Sequence, residues 1–379
     1  MTLQKMKVMT VVGTRPELIK LAAVIKELDK HTNHIFVHTG QNYDYELNGV
    51  FFENLGLRKP NYFLEVAGDT ASITVANVIT KTDELLEKEQ PEAILVLGDT
   101  NSCLAAYPAK RRKIPIFHME AGNRCFDMRV PEEVNRRVVD HLSDINLVYS
   151  EAARTNLLRE GLPPDRIIKT GSSLHEVLVE YKNEIEASTI LTDLDLTPEG
   201  YFVLSAHREE NVDDPKQLER LVEITKALVE EYHLPILFGV HPRTQKRIES
   251  GQIVFPPEVR LMKSFGLFDY VKLQMNAKCV LTDSGTIQEE SSMMNFPAVQ
   301  LRVTHERLES SDEMSVITAG RNPMRVLQAV AVAIEQQRGS TREFRIPQDY
   351  EPTNVSKKVL RIIIGYTDYV KRVVWSETL

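Results

Sequence analysis

The chain has 379 residues, of which 42% are hydrophobic and 26% charged, and its formal net charge is −8. This length predicts two globular domains, and the acidic balance argues against a nucleic-acid partner, which would require a basic surface. Three cysteines without paired spacing argue against a disulfide framework and a metal site, and no apolar run reaches the length of a membrane span. We therefore expect a cytoplasmic protein that contacts no membrane and holds anions with local cationic clusters.

The first half of the chain alternates short apolar runs with amphipathic stretches. The runs are mostly rich in β-branched residues and bounded by Gly or polar turns, which is typical of buried strands. Strands are predicted at residues 7–12, 35–39, 93–97, 114–118 and 145–149, and helices at 16–28, 71–88 and 132–142. Strands that alternate with helices indicate parallel βαβ units with both faces of the sheet covered.

The same pattern restarts after a polar segment at residues 182–199. Further strands are predicted at residues 201–206, 235–240, 279–282 and 298–301, followed by an amphipathic helix at 355–374. We predict an α/β fold with two Rossmann-like, doubly wound domains that face a cleft. The predicted domains are residues 1–172 and 173–355, and residues 356–379 form a helix that packs back across them. Ligands of such sheets bind at the carboxyl ends of strands, so functional motifs should follow strands.

The segment GTRPELIK follows the first predicted strand. Gly13 permits a tight turn, and Pro16 suits the first turn of a helix. Arg15 then lies where the amides of the helix N-terminus favour an anion. The segment matches neither the Walker motif nor GxGxxG. It predicts an anion contact at Arg15, and the alternative is a plain strand-to-helix turn with a surface arginine.

Three carboxylates of the first half occupy comparable positions. Asp99 in GDTNS and Glu120 in HMEAGNR each follow a predicted strand, and Glu132 follows Pro131 at a helix start. Helix capping or the helix dipole explains any one of them. It explains the three together less well than acid/base chemistry does, with nearby arginines holding an anionic substrate and tuning the carboxylates.

Two histidines follow strands of the second half. His207 and Arg208 come after the strand at residues 201–206, and His241 comes after the next one. A histidine beside an arginine at a strand end is a poor core residue, so we interpret His207 as a ligand-binding or catalytic group.

The most specific signal of the second half is DSGTIQEE, where a strand runs through Ser284, Gly285 and Thr286 into a helix. Gly285 lets the backbone approach a ligand, and the first helix amides suit a pyrophosphate. Glu290 is placed to accept hydrogen bonds from a ribose diol. Arg307 in THERLES is a further phosphate candidate. A simple capped helix and a surface helix start are the alternatives.

The motifs GTRPELIK, TGQNYD, GDTNS, HMEAGNR, PEEVNR, HREEN, VHPR and DSGTIQEE occur in this order over about residues 7–375. This set resembles the non-hydrolysing UDP-N-acetylglucosamine 2-epimerase family, whose fold is similar to that of GT-B glycosyltransferases. TGQNYDYELN and MEAGNRCFD look most like the members that form UDP-N-acetyl-L-fucosamine from UDP-2-acetamido-2,6-dideoxy-L-talose for capsule or O-antigen synthesis. Two segments depart from the family pattern near the expected pyrophosphate: THERLES replaces TxERPEG, and DSGT replaces DSGG.

The resemblance implies a catalytic group and a set of substrate-binding residues. The catalytic group comprises Asp99, Glu120, Glu132 and His207. The substrate-binding residues are Arg15, Lys20, Gln41, Arg136, Arg208, Asn211, His241, Ser284, Gly285, Thr286, Glu290 and Arg307. The first predicted domain thus carries the catalytic carboxylates and the second binds UDP. The resemblance also implies a UDP-sugar substrate, a homodimer, and a reaction without a cofactor or metal.

Elimination is the mechanism that the sequence favours. The C2 proton of an N-acetylhexosamine is not acidic, and no GxGxxG indicates a nicotinamide cofactor for transient oxidation. Loss of UDP from C1 through a 2-acetamidoglycal requires a base, an acid on the opposite face and cations at the diphosphate. Three alternatives stay open: a UDP-GlcNAc/UDP-ManNAc 2-epimerase, a GT-B glycosyltransferase and a non-catalytic UDP-sugar-binding protein.

Overall fold

The computed structural model describes residues 4–41, 52–206, 215–240, 245, 248, 253–263, 265–302 and 307–378. It divides into two compact units. Unit 1 comprises Met1–Val179 and Gln348–Leu379, and unit 2 comprises Glu180–Pro347.

Unit 1 is built around a seven-stranded parallel sheet of order β3-β2-β1-β4-β5-β6-β7. Its strands are β1 (Lys7–Val12), β2 (Asn33–His38), β3 (Tyr62–Phe63), β4 (Ala93–Leu97), β5 (Ile116–Ala121), β6 (Ile145–Val148) and β7 (Ile167–Lys169). Its first helices are α1 (Arg15–His31), α2 (Ala71–Glu89), α3 (Ala106–Arg111), α4 (Pro131–Leu142), α5 (Glu151–Arg159) and α6 (Leu174–Glu180). All five residues of β4 are buried, as expected for a central strand with helices on both faces.

Unit 2 contains a six-stranded parallel sheet of order β10-β9-β8-β11-β12-β13. Its strands are β8 (Phe202–Ser205), β9 (Ile236–Gly239), β10 (Val259–Met262), β11 (Val280–Thr282), β12 (Ala298–Gln300) and β13 (Val316–Thr318). Its helices include α7 (Lys182–Ala187), α8 (Ile190–Asp193), α9 (Pro215–Tyr232), α10 (Leu267–Asn276), α11 (Ile287–Met294) and α12 (Pro323–Ala333). The predicted α/β class with two Rossmann-like sheets is confirmed.

The C-terminal helix α13 (Val355–Trp375) belongs to unit 1, where it packs against α1. The sequence predicted domain limits after residues 172 and 355, whereas the chain passes between the units at Val179 and Pro347. The reason is that α6 is bound to the C-terminal segment. The Glu176 carboxylate accepts hydrogen bonds from the Ser356 backbone N–H at 2.8 Å and from its hydroxyl at 2.5 Å. No helix among the described residues has the length and apolarity needed to span a bilayer.

Both sheets reverse their strand order at an equivalent place. In unit 1 the reversal lies between β1 and β4, and in unit 2 it lies between β8 and β11. Both strand pairs are parallel, so the carboxyl ends of each pair open toward one edge of the sheet. Ligands of doubly wound sheets bind at this switch point. The loops after β1, β4, β8 and β11 are therefore where functional side chains are expected.

Candidate active site

The loop after β1 is closed by the carboxylate of Glu17. This carboxylate accepts hydrogen bonds from the Gly13 backbone N–H at 2.9 Å and from the Thr14 hydroxyl at 2.8 Å. The Thr100 hydroxyl, which belongs to the loop after β4, donates to it at 3.1 Å. Burial is the main cause that raises the pKa of Glu17 to about 7, against several lowering hydrogen bonds. Sequence reasoning missed Glu17 as a site residue, although Thr14-x-x-Glu17 has the spacing of a capping box.

The same loop requires a glycine because another loop crosses it closely. A β-carbon at Gly13 would lie 1.9 Å from Ser102 Oγ and 2.4 Å from Thr39 Oγ1, so any side chain would displace them. Ser102 Oγ also donates to the side-chain oxygen of Gln41 at 3.1 Å. Gly13 therefore permits the close approach that brings Gln41 beside the loops after β1 and β4.

Asp99 follows β4 and is held by two neighbouring residues of α4. Arg136 Nη2 lies 2.6 Å from Asp99 Oδ2, and Arg136 Nε donates to the same oxygen at 2.9 Å. The Asn135 amide donates to the Asp99 backbone carbonyl at 2.9 Å. The guanidinium therefore holds the carboxylate in one orientation at the carboxyl end of β4.

Glu120 has an unusual backbone conformation at the end of β5. Its φ is +63°, in the left-handed region that non-glycine residues rarely adopt, and the β5–β6 register shifts between Met119 and Ala121. Such strain persists where the surrounding structure enforces it, which is common at functional sites. Glu120 Oε2 lies 2.5 Å from Lys20 Nζ, and the Tyr149 hydroxyl donates to it at 3.3 Å. The bulge thus aims a carboxylate at a lysine of α1.

The two glutamates that begin α4 have different environments. Glu133 is fully buried and accepts hydrogen bonds from the Cys125 backbone N–H at 3.1 Å and from Arg137 Nε at 3.0 Å. Glu132 is half-buried, and within the described part of the chain it forms no hydrogen bond or ion pair with another side chain. Glu133 therefore stabilises the preceding loop, whereas Glu132 keeps a carboxylate available for a ligand.

Several arginines near these carboxylates pair with other protein groups. Arg124 Nη1 lies 2.7 Å from Asp140, and its Nη2 lies 2.7 Å from Glu160. Asp140 also lies 2.9 Å from His118 Nδ1, and His118 Nε2 donates to the Gly98 carbonyl at 2.8 Å. This buried network reaches the residue that precedes Asp99. Arg124 is therefore a structural residue, and its network stabilises the backbone beside Asp99.

The loop after β11 contains only short polar side chains. The Ser284 and Thr286 hydroxyls lie 2.9 Å apart, and the Thr286 hydroxyl donates to Glu290 Oε1 at 2.7 Å. Gln274 of α10 donates to the other carboxylate oxygen of Glu290 at 2.6 Å. Gly285 lies between these hydroxyls, just before the N-terminus of α11. Hydroxyls and free helix amides at one place form an arrangement that suits an anion.

Arg307 lies in unit 2, where its Nη2 is 3.1 Å from Glu289 Oε2, and both side chains are buried. Arg15, the first residue of α1, lies half-buried beside the Gly13 turn. The predicted residues His207, Arg208, Asn211 and His241 lie outside the described residues. In the described ranges, no group of three or more His, Cys, Asp or Glu side chains has a metal-binding arrangement.

Comparison with known proteins shows the family of this chain. The model of the family described as UDP-N-acetylglucosamine 2-epimerase matches residues 26–364. The chain belongs to this family. A solved UDP-N-acetylglucosamine 2-epimerase from Rickettsia bellii is 51% identical, with a TM-score of 0.92 over 99% of this chain and 100% of that one.

Two further members show the range of the family. The structure of the Methanocaldococcus jannaschii UDP-GlcNAc 2-epimerase, in complex with UDP-GlcNAc and UDP, is 31% identical, with a TM-score of 0.88 over 95% and 100% of the two chains. A UDP-2,3-diacetamido-2,3-dideoxy-D-glucuronate 2-epimerase from Pseudomonas aeruginosa is 33% identical over 84% of this chain and 87% of its own. The family therefore includes epimerases named for different UDP-sugars, and the present chain is an epimerase of this group.

Proposed function

We propose that this protein inverts C2 of a UDP-N-acetylhexosamine by eliminating UDP and adding it back through a 2-acetamidoglycal. The observation that carries this proposal is the pair of oriented carboxylates at the carboxyl ends of the neighbouring strands β4 and β5 of unit 1. Glu120 lies on the strained bulge of β5 and is held by Lys20. Asp99 follows the neighbouring strand β4 and is held by Arg136. Each cation fixes the orientation of its carboxylate, so two oriented carboxylates are available for the acid/base chemistry that inversion of a sugar carbon requires.

The proposed reaction breaks two bonds and forms them again. A carboxylate of the group Asp99, Glu120 and Glu132 accepts the C2 proton, while UDP leaves C1 with the electron pair of the C1–O bond. A C1=C2 double bond results. A second acid delivers a proton to the opposite face of C2, and UDP adds to C1. His207 is proposed as the fourth member of the catalytic group.

Binding of the nucleotide is assigned chiefly to unit 2. Ser284, Gly285, Thr286 and the first amides of α11 are proposed to bind the pyrophosphate. Glu290 is proposed to accept from the ribose diol, because Thr286 and Gln274 already orient its two oxygens. The remaining proposed contacts are Arg15, Lys20, Gln41, Arg136, Arg208, Asn211, His241 and Arg307.

For the sugar, we propose UDP-2-acetamido-2,6-dideoxy-L-talose, which gives UDP-N-acetyl-L-fucosamine for capsule or O-antigen synthesis. Support comes from the segments TGQNYDYELN and MEAGNRCFD, which resemble those of the members that form UDP-N-acetyl-L-fucosamine. Interconversion of UDP-GlcNAc and UDP-ManNAc is the second candidate, because the 51% identical relative is named a UDP-N-acetylglucosamine 2-epimerase. A cytoplasmic homodimer is part of the same proposal.

The test is proton NMR of the purified protein in deuterated water, with each of the two UDP-sugars in parallel. We expect epimerised product that carries deuterium at C2, because the acid that protonates the opposite face carries a proton from the solvent. Faster turnover of the 6-deoxy sugar supports the first substrate, and faster turnover of UDP-GlcNAc supports the second. Product that keeps its original C2 hydrogen would exclude elimination. A bridging-oxygen label that scrambles into the β-phosphate would be a second indication of C1–O cleavage.

A further inference from the structure

Glu17 occupies a position that helix capping explains only in part. In a capping box, a glutamate at the third helical position reaches back to the start of its own helix, and the contacts of Glu17 with Gly13 and Thr14 fit that role. Its contact with the Thr100 hydroxyl does not, because Thr100 belongs to the loop after β4. Glu17 is only 2% exposed, so water does not compete strongly for this carboxylate.

The direction of the Thr100 hydrogen bond is defined by a second contact. Thr100 Oγ1 accepts from the Ser102 backbone N–H at 3.2 Å, so the hydroxyl proton is free to point at Glu17. A carboxylate oxygen is the acceptor that this proton requires. The two loops are therefore joined by one side chain from each.

The residues next to this link include two that have roles in the proposed function. Thr100 follows Asp99, and Gly13 and Thr14 precede Arg15. Other elements hold the same loop at different atoms: His118 binds the Gly98 carbonyl, and Asn135 binds the Asp99 carbonyl. The contact between Thr100 and Glu17 joins this loop to the one that carries Arg15.

We infer that Glu17 is a positioning residue, which fixes the separation between the catalytic carboxylate Asp99 and the anion-binding turn at Arg15. The inference rests on the proposed function for its kinetic consequence. Displacement of a reacting group by about 1 Å can cost up to a hundredfold in rate, so a link of this kind acts on turnover more than on binding.

The experiment compares Thr100→Val with Thr100→Ser. Valine keeps the shape of the side chain and removes the hydroxyl, whereas serine keeps the hydroxyl. We expect Thr100→Val to lower kcat about tenfold or more with KM within about twofold, and Thr100→Ser to recover most of the loss. Thr367→Val is the control, because its buried hydroxyl donates to the Ile363 carbonyl at 2.7 Å inside α13, away from both loops. It should lower the melting temperature slightly and leave kcat unchanged.

Amide hydrogen exchange separates this inference from the proposed function, since it requires no substrate. In Thr100→Val, the Gly13 amide, which donates to Glu17 on the other side of the link, should exchange faster than in the wild type, and in Thr100→Ser it should return toward the wild-type rate. Unchanged exchange in Thr100→Val, or equal loss of kcat in the valine and serine variants, would overturn the role of the link. A wild-type protein that epimerises neither sugar would instead overturn the proposed function and leave the exchange result to decide on the link.

Discussion

The sheets of the two units have the same strand order apart from one additional edge strand, β7, in unit 1. The residues at the carboxyl ends of their strands are held by different kinds of side chain. In unit 1, charged groups hold charged groups: Lys20 lies against Glu120, and Arg136 lies against Asp99. In unit 2, the loop after β11 is held by neutral donors, the Thr286 hydroxyl and the Gln274 amide, which converge on Glu290. The strand order therefore indicates where a site lies, whereas the side chains of the loops indicate the function of that site.

This difference has an energetic consequence. A buried charge that loses its charged partner costs about 3–5 kcal/mol, whereas a carboxylate that loses one neutral hydrogen-bond donor costs about 1.5–3 kcal/mol. We therefore expect substitutions in unit 1 to affect folding and turnover strongly, and those in the unit 2 loop to affect binding more modestly. Four predictions test this contrast, in order of decreasing effect.

The largest effect is expected for Arg136→Met. The substitution leaves Asp99 without its guanidinium partner and removes one partner of the fully buried Glu133, which lies 3.3 Å from Arg136 Nη1. We expect a loss of about 3–5 kcal/mol in the free energy of unfolding, measured by urea titration. Arg129→Met is the matched control, because the Arg129–Asp127 pair is similarly short, at 2.7 Å against 2.6 Å for Arg136–Asp99, but its arginine is 86% exposed. Its cost should stay below about 1 kcal/mol. Equal losses of unfolding free energy in the two variants would refute the distinction between the buried Arg136 pairs and the exposed Arg129 pair.

The second effect is a pH dependence that arises from Glu17. Burial raises its pKa from 4.5 to about 7, so the folded state binds more protons than the unfolded state between these pH values. The contribution of Glu17 to stability is therefore fully present below pH 4.5 and falls as the pH rises through 7. The stability of the wild type relative to Glu17→Gln should decrease by about 3 kcal/mol at most over this interval. Parallel stability curves for the two proteins between pH 5 and 8 would contradict the assignment.

The third effect concerns turnover. Glu120→Gln keeps the shape of the side chain and removes its basicity, so kcat should fall by about a hundredfold or more, the scale for loss of an acid/base group. UDP affinity, measured by calorimetry, should stay nearly unchanged because the proposed pyrophosphate contacts lie mainly in unit 2. A variant in which UDP binding disappears together with activity would make Glu120 a structural residue and weaken the contrast between the units.

The sequence predicted the central part of each sheet and missed the edges. The strands that it did not predict, β3, β7, β10 and β13, are the four outermost strands of the two sheets. They have two to four residues and are only partly buried, so they lack the continuous apolar run that identifies a central strand. Edge strands obtain their conformation from a neighbour, which local sequence does not encode.

The candidate site shows the same division between local and long-range information. Asp99 and Glu120 were predictable because each follows a strand, and parallel strands align their carboxyl ends. The left-handed conformation of Glu120 was not, since no residue preference indicates it for a glutamate. The link from Glu17 to Thr100 spans 83 residues of sequence and depends on the pairing of β1 with β4. Contacts of this kind become visible only once the sheet order is known.

The smallest effect is expected for Glu290→Gln. The two side chains that donate to Glu290, Thr286 and Gln274, are neutral and can also bind an amide. Gln274 can donate only to the remaining amide oxygen, and the new amide nitrogen can donate to the Thr286 hydroxyl, which also accepts. Both internal contacts of the loop therefore survive, so the fold and the melting temperature should be nearly unchanged. What is lost is the negative charge proposed to accept from the ribose diol. We expect UDP to bind about fivefold more weakly, the equivalent of about 1 kcal/mol, with kcat at saturating substrate close to that of the wild type. Calorimetry with UDP and steady-state kinetics on the same preparation measure both quantities, and Glu120→Gln supplies the opposite pattern. A Glu290→Gln protein that binds UDP normally but turns over slowly would contradict this prediction. It would assign a catalytic role to Glu290 in unit 2, instead of a role in UDP binding.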